Sequence, residues 1–356
     1  MSVGGVLHVF PHREGPWLVR AGPVALGVPP EIGSRLYRLD GTRATPAELR
    51  AQLVSTGAGE ALAARLATGL DPGPFSWRRF WRTRFPVWAR LPLVSAQVVG
   101  RLAQRCAFLV RPRRLILLGM LGLAGLTVPV HAIDGSGSPP ALVWGVALLV
   151  VSALWHEIGH AAALLRSGYA PGRLGLGMLF ILPVLFVDVT PVALLPRRGR
   201  LLVNVAGPVF QLALAGVFKV MAQAMFLPAW VRAGLQLAGL SATLAVTWSL
   251  WPFIRSDGYW LVCDTLGIPG LDRPVPADAG RKTRRLAALL RLANVVFLLL
   301  VGAGLTLAGY RRWGLPVWPP HLGLPLAVWA GIMGLWAALT ARILYLLRLT
   351  VRDLRA

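Results

Sequence analysis

Long apolar runs alternate with short breaks rich in arginine, proline or glycine from about residue 115 onward, and the stretches before it, to about residue 72 and from 73 to 114, depart from that rhythm. The runs extend from about Leu115 to Val130, Ala141 to Leu165, Leu201 to Phe226, Trp230 to Phe253, Leu286 to Ala308 and Leu322 to Leu347. A helix needs about 20 apolar residues to cross the roughly 30 Å hydrocarbon core of a bilayer, and the first run is slightly short of that. The pattern predicts a polytopic α-helical membrane protein with about six transmembrane helices.

A further apolar stretch, Gly175 to Leu195, has a different texture: Pro183 and Pro191 interrupt it, Asp188 lies inside it, and arginines flank both ends at Arg173 and at Arg197, Arg198 and Arg200. Equal charge on the two sides argues against a crossing. A re-entrant hairpin or a pair of extended strands is expected instead, because irregular backbone at membrane depth is tolerated where protein or a cavity covers it. A strand edge there, around Asp188, is a candidate seat for an extended substrate peptide.

Residues 1–72 mix polar and apolar positions without a run long enough to span, and they predict a small α/β domain with strand-like stretches such as Trp17–Arg20 and a helix beginning near Thr45. Asp40-Gly41 reads as a tight turn just before that helix, with Thr45 as N-cap, Pro46 at N1 and Glu48 at N3 in a capping box. From residue 73 to 114 aromatics (Phe75, Trp77, Phe80, Trp81, Phe85, Trp88) interleave with arginines (Arg78, Arg79, Arg82, Arg84, Arg90), which suits the headgroup layer of a membrane. Residues 115–272 then form the membrane core, and 273–356 a C-terminal transmembrane hairpin.

Composition agrees with this layout. Of 356 residues, 56% are hydrophobic and only 14% charged, a balance that excludes an ordinary soluble domain. The formal net charge of +23 comes largely from arginines flanking apolar runs, so a lipid bilayer is the expected partner and nucleic acid is not. By the excess of arginine at one side of the spans, both termini are expected in the cytoplasm. Cys106 and Cys263 match no metal spacing and suggest no disulfide framework.

The chemistry concentrates in His156-Glu157-Ile158-Gly159-His160, an HExxH motif near the end of the second apolar run and in its cytoplasmic half. Residues four apart share a helical face, so His156 and His160 can offer two imidazoles to one metal ion with Glu157 beside it. Average composition yields this pattern by chance in about one chain in a hundred of this length. A charge in a membrane helix costs about 2.5–3.5 kcal/mol on insertion scales and is rarely kept without a use, which favours the metal reading. A zinc ion held there acidifies water, and Glu157 is the candidate general base. Asp257, in Ser256-Asp257-Gly258-Tyr259 after the fourth span, returns to about the same depth and is the best-placed third ligand; an Asp-Gly turn or helix cap is the alternative. Asn204, Gly207, Pro208 and Gln211 follow on the third span, where Gly207 and Pro208 permit close helix approach.

With HEIGH in a membrane helix and Ser-Asp-Gly-Tyr about a hundred residues later, residues 70–270 resemble the site-2-protease family of intramembrane zinc metalloproteases. The similarity is to its bacterial branch of peptide zinc metalloproteases found in bacteriocin and ribosomal-peptide gene clusters, which also shares features of the stretch from Gly175 to Pro208. The resemblance implies Zn2+ as cofactor, His156, His160 and Asp257 as ligands, Glu157 as general base, and a bacterial plasma-membrane location. Two positions differ: Trp251-Pro252 stands where Asn-Pro is usual, and Gln211 where the wider family has the Asn of Gly-Pro-x-x-Asn. Asp188, Asn204 and Gln211 are the candidate substrate-binding residues. Leu39-Asp40-Gly41-Thr42 through Glu48-Leu49 resembles the winged-helix peptide-binding modules of peptide natural-product pathways, of the type found in the pyrroloquinoline quinone peptide chaperone. That resemblance implies leader-peptide capture by strand addition; a generic α/β domain packed on the membrane part is the other reading. Two function classes stay open. One is an endopeptidase acting on a peptide or membrane-protein substrate, and the other a non-proteolytic export or immunity factor that binds peptide and keeps zinc for structure.

Overall fold

A computed structural model describes residues 5–11, 17–21, 24–39, 43–44, 46–55, 59–70, 87–130, 137–179, 182–276, 278–313 and 326–355. The turn at residues 40–42, the cap at Thr45 and the aromatic and arginine-rich residues 75–85 expected from the sequence lie outside these. The chain forms two compact units, Met1–Trp251 with Arg255–Gly258, and Pro252–Ile254 with Tyr259–Ala356.

The first unit begins with four antiparallel strands, β1 (Gly5–Phe10), β2 (Trp17–Ala21), β3 (Val24–Val28) and β4 (Arg43–Ala44), in the order β3-β2-β1-β4. Alternate residues of a strand share a face, and Leu7, Val9, Val19, Ala21 and Val28 turn to one side. Three helices, α1 (Pro30–Leu36), α2 (Pro46–Ser55) and α3 (Glu60–Leu70), cover that side with Leu36, Leu53, Ala63 and Leu66. The strand-like stretch at Trp17 is therefore β2, and the helical run after Thr45 is α2.

Next come β5 (Val87–Val94), α4 (Ala96–Cys106), α5 (Pro112–Leu126) and α6 (Pro139–Arg166). Two prolines open α6, where a missing N–H costs nothing. Its other end is closed by Gly168 at φ 100°, a left-handed conformation that favours glycine. There the Tyr169 N–H reaches the Leu164 carbonyl and the Gly168 N–H that of Leu165, a double closure that turns the chain sharply out of the helix. The turn delivers it to β6 (Leu174–Leu179) and β7 (Leu182–Val187), which with β5 make a sheet of order β5-β6-β7. The interrupted stretch expected as a hairpin or extended strands is this β6–β7 pair. After a 3-10 turn at Thr190–Leu194 follow α7 (Arg197–Met221) and α8 (Ala229–Ser249).

Helices α5 to α8 pack through glycine. A Cβ at Gly125 would lie 2.3 Å from the Gly216 Cα, one at Gly122 2.8 Å from the Leu212 carbonyl carbon, and one at Gly145 2.7 Å from the Leu237 side chain. Without a hydrophobic effect between helices in lipid, such close approach is what gains dispersion contact. The chain is mostly helical, and among the described residues three helices are long and apolar enough to cross a membrane: α6, α7 and the part Arg281–Gly304 of a later helix. At 15 residues α5 is about 22 Å long, which bears on why its run read as short.

The second unit contains α9 (Asp257–Leu266, whose first two residues belong to the first unit), α10 (Arg281–Trp313) and α11 (Leu326–Arg355). Its apolar centre joins Tyr259, Cys263, Ile268, Leu271, Val275 and Ala287. Arg291, fully buried, organises the polar part: Nη1 donates to Asp353 at 2.7 Å, Nε to the Leu271 carbonyl at 2.7 Å and Nη2 to the Arg273 carbonyl at 2.7 Å. The Val275 N–H completes the Asp353 carboxylate at 3.0 Å. Removing one partner of such a buried pair strands the other charge, at a cost of about 3–5 kcal/mol. Arg291→Met is therefore expected to lower the thermal unfolding midpoint of the detergent-solubilised protein markedly, and Arg291→Met with Asp353→Leu to recover a large part of that loss.

Candidate metal centre

The last turns of α6 lie against the middle of α7, backbone against backbone at Gly159 and with the His160 ring over Gly207. A Cβ on Gly159 would fall 2.7 Å from the Ala206 carbonyl oxygen, and one on Gly207 would fall 2.3 Å from His160 Nε2. Glycine at both positions lets the backbones meet, and the ring pair of Trp155 and Phe210, with centroids 5.2 Å apart, packs beside them. Pro208 has no N–H for the Asn204 carbonyl, so α7 is missing a helical bond in this same turn.

That contact fixes the histidines. His160 Nδ1 lies 2.7 Å from the Val203 carbonyl oxygen. A carbonyl only accepts, so Nδ1 carries the hydrogen and Nε2 of the neutral ring keeps its lone pair for a cation. His156 Nε2 is 3.0 Å from His160 Nε2, and the rings stand nearly perpendicular with centroids 4.7 Å apart. Nδ1 of His156 is buried and has no hydrogen-bond partner among the described residues.

The third group arrives from a distant part of the chain. Asp257 is the first residue of α9, with Oδ2 3.1 Å from His156 Nε2 and Oδ1 3.3 Å from His160 Nε2. Asp257 and Gly258 open a helix here and do not form an Asp-Gly turn. Gly258 is required because a Cβ there would be 2.0 Å from the Leu250 carbonyl oxygen, at the end of α8. The Ser256 hydroxyl, donating to the Trp251 carbonyl at 3.0 Å, braces the same connection.

His156, His160 and Asp257 thus bring three ligand atoms within 4.8 Å of one another. Tetrahedral ligands about 2.1 Å from a zinc-sized ion lie about 3.4 Å apart. The observed spacing, the fixed His160 tautomer and the two-imidazole, one-carboxylate donor set all fit such an ion.

Glu157, one step round α6, is half-buried, and one carboxylate oxygen accepts the Val187 N–H of β7 at 2.7 Å. The other candidate residues separate. Asp188, next along from Val187, is engaged by Arg20 of β2 at 2.6 Å. Gln211 is buried and donates from its side-chain amide to Ser152 Oγ at 3.3 Å, tying α7 to α6 one turn before His156. Asn204 is buried on α7 beside Val203. The motif spacing gave no sign of Val203, of Val187 or of Arg20, because their roles are made by backbone groups or by pairing across most of the chain. Gly207 did carry a signal, since with Pro208 it marks a place for close helix approach, whereas Gly258 read only as part of an Asp-Gly turn or helix cap.

No protein-family model matches the chain, and no curated protein or solved structure does.

Gly207→Ala is expected to force the His160 ring or the α6–α7 crossing to move, with an overpacking cost of about 1–3 kcal/mol read as a lower midpoint of thermal unfolding. Gly100→Ala, on α4 where an added Cβ meets nothing within 4 Å, is the control and should leave stability unchanged or slightly raised.

Proposed function

We propose that this chain is a membrane-embedded zinc endopeptidase that cleaves a peptide or membrane-protein substrate during maturation or export of a ribosomally made peptide. The observation that carries the reading is the convergence of His156 and His160, both on α6, with Asp257 of α9, about a hundred residues on, with Glu157 beside them. His156, His160 and Asp257 hold the zinc. Bound there, zinc supplies Lewis acidity, which polarises a peptide carbonyl and acidifies water.

The chain's own groups supply the rest. The Val187 N–H holds one oxygen of the Glu157 carboxylate, which leaves the other to take a proton from the attacking water. As the tetrahedral carbon collapses and the C–N bond breaks, Glu157 returns that proton to the departing amine, so the site ends as it began. The outer edge of β7, which ends at Val187, gives an extended peptide a strand to pair with beside the scissile bond. In the same reading the chain crosses the bacterial plasma membrane about six times, with both termini and the mouth of the site on the cytoplasmic side, and the N-terminal strands and helices form a winged-helix-like module that recruits the leader of the substrate.

The donation of the Gln211 amide to Ser152, at a position where the resembled family carries Asn, favours a second reading. In it the chain binds peptide for export or immunity and keeps the zinc for structure. One variant separates the two. The purified protein should contain about one zinc per chain, and Glu157→Gln should retain that zinc while losing cleavage of any peptide that the wild type cleaves, by at least about a thousandfold, which is the size of a lost acid–base contribution. Cleavage unchanged in Glu157→Gln would overturn the peptidase mechanism, and full complementation of a deletion strain by that variant would favour the second reading.

A further inference from the structure

Arg20 sits on β2, in the sheet formed by the first residues of the chain, yet its guanidinium reaches the base of the β6–β7 hairpin 168 positions away. Nη2 donates to Asp188 Oδ2 at 2.6 Å and Nη1 to Asp188 Oδ1 at 3.3 Å, a forked pairing of planar groups. Nη1 also donates to Thr190 Oγ1 at 2.5 Å, and the Thr190 N–H and hydroxyl both donate to Asp188 Oδ1. On its other side the guanidinium lies over the Phe10 ring, 5.6 Å from its centroid. A second link runs beside the first, from the Ala170 N–H to the Pro11 carbonyl at 3.3 Å.

The hairpin base so gripped is itself closed. The Asp188 N–H donates to the Arg173 carbonyl at 2.9 Å and the Gly172 N–H to the Asp188 carbonyl at 2.8 Å, with Gly172 so close that a Cβ would lie 2.7 Å from Asp188 Cβ. The residue immediately before Asp188 is Val187, whose N–H holds Glu157. The peptide unit that carries this N–H is therefore one residue from a carboxylate fixed by four donors from Arg20 and Thr190. Of the two side chains in the pair, 21% of Arg20 and 16% of Asp188 is exposed, so the contact is largely shielded from water and salt.

We infer that Arg20 is a positioning residue for the peptidase reaction: through Asp188 and Thr190 it sets the end of β7 so that the Val187 N–H orients the Glu157 carboxylate. The N-terminal sheet is then a structural part of the active site. The inference rests on the endopeptidase reading, and its test is arranged to read without cleavage as well as with it.

The experiment uses the full-length protein in detergent with zinc chloride added. Hydrogen exchange is followed at the peptide covering residues 184–190, and cleavage of fluorescently labelled casein is measured in parallel. Arg20→Ala and the isosteric Asp188→Asn should each speed exchange at Val187 about tenfold or more and lower kcat by about tenfold, the equivalent of one 1.4 kcal/mol interaction. KM and zinc content should stay within about twofold, and exchange in β2 at residues 17–21 should be unchanged, which separates positioning from loss of the sheet. The double variant should be no worse than either single one, because both remove the same contact, and Arg20→Lys, which keeps the charge and loses the fork, should fall between wild type and Arg20→Ala. Unchanged exchange at Val187 in either single variant, or multiplicative effects in the double, would overturn the inference. Should the wild type leave casein uncleaved, the exchange data alone decide whether Arg20 holds β7, and the endopeptidase reading is decided by the Glu157→Gln comparison above.

Discussion

The rest of the structure depends on one close approach, the meeting of α6 and α7 backbone to backbone at Gly159 and Gly207. Between two helices of ordinary residues the axes stay about 8–10 Å apart, and a histidine at the contact is pushed aside by its neighbours. Here the missing Cβ at Gly207 makes room for the imidazole itself, and the Val203 carbonyl one turn back takes the hydrogen of Nδ1. A single packing event thus chooses the rotamer and the tautomer of one of the three candidate metal ligands. The same economy recurs at Gly258, where the missing Cβ lets the start of α9 rest on the end of α8 and brings Asp257 to the two histidines.

Around this contact the polar groups are arranged so that few are left over. His160 has Val203, Glu157 has Val187, Asp188 has Arg20 and Thr190, and Gln211 has Ser152. In a low-dielectric setting each of these costs several kcal/mol if left unmade, so they hold a geometry as much as they add stability. The exception is Nδ1 of His156, buried without a partner among the described residues, and it belongs to one of the three side chains that converge on the cation position.

Much of this was legible in the sequence where the signal is local. A spacing of four on a helix puts His156 and His160 on one face whatever else the chain does, and the prolines and balanced arginines around Gly175–Leu195 marked a stretch that does not run as a helix, where β6 and β7 lie. What could not be read is what depends on pairing at long range or on backbone atoms. Asp188 stood out as an acid in an apolar stretch and was a candidate for touching substrate, but its partner Arg20 is one arginine among many and nothing in the intervening residues marks it. Gly207 was legible as a site of close approach and not as the seat of an imidazole, because the sequence says that a side chain is missing and leaves open what fills the gap. The aromatic and arginine-rich stretch at residues 75–85 lies outside the described residues, and of the about six crossings expected, three described helices are long and apolar enough to span.

The central claim is that α6, α7 and α9 together build one cation site of two imidazoles and a carboxylate. X-ray absorption at the zinc edge of the purified, zinc-loaded protein addresses it directly. The account predicts a first shell of nitrogen and oxygen with the outer-shell scattering of two imidazoles, and a spectrum that changes, or zinc that is lost, in Asp257→Ala. A sulfur shell, fewer than two imidazoles, or a spectrum and zinc content unaffected by Asp257→Ala would contradict it.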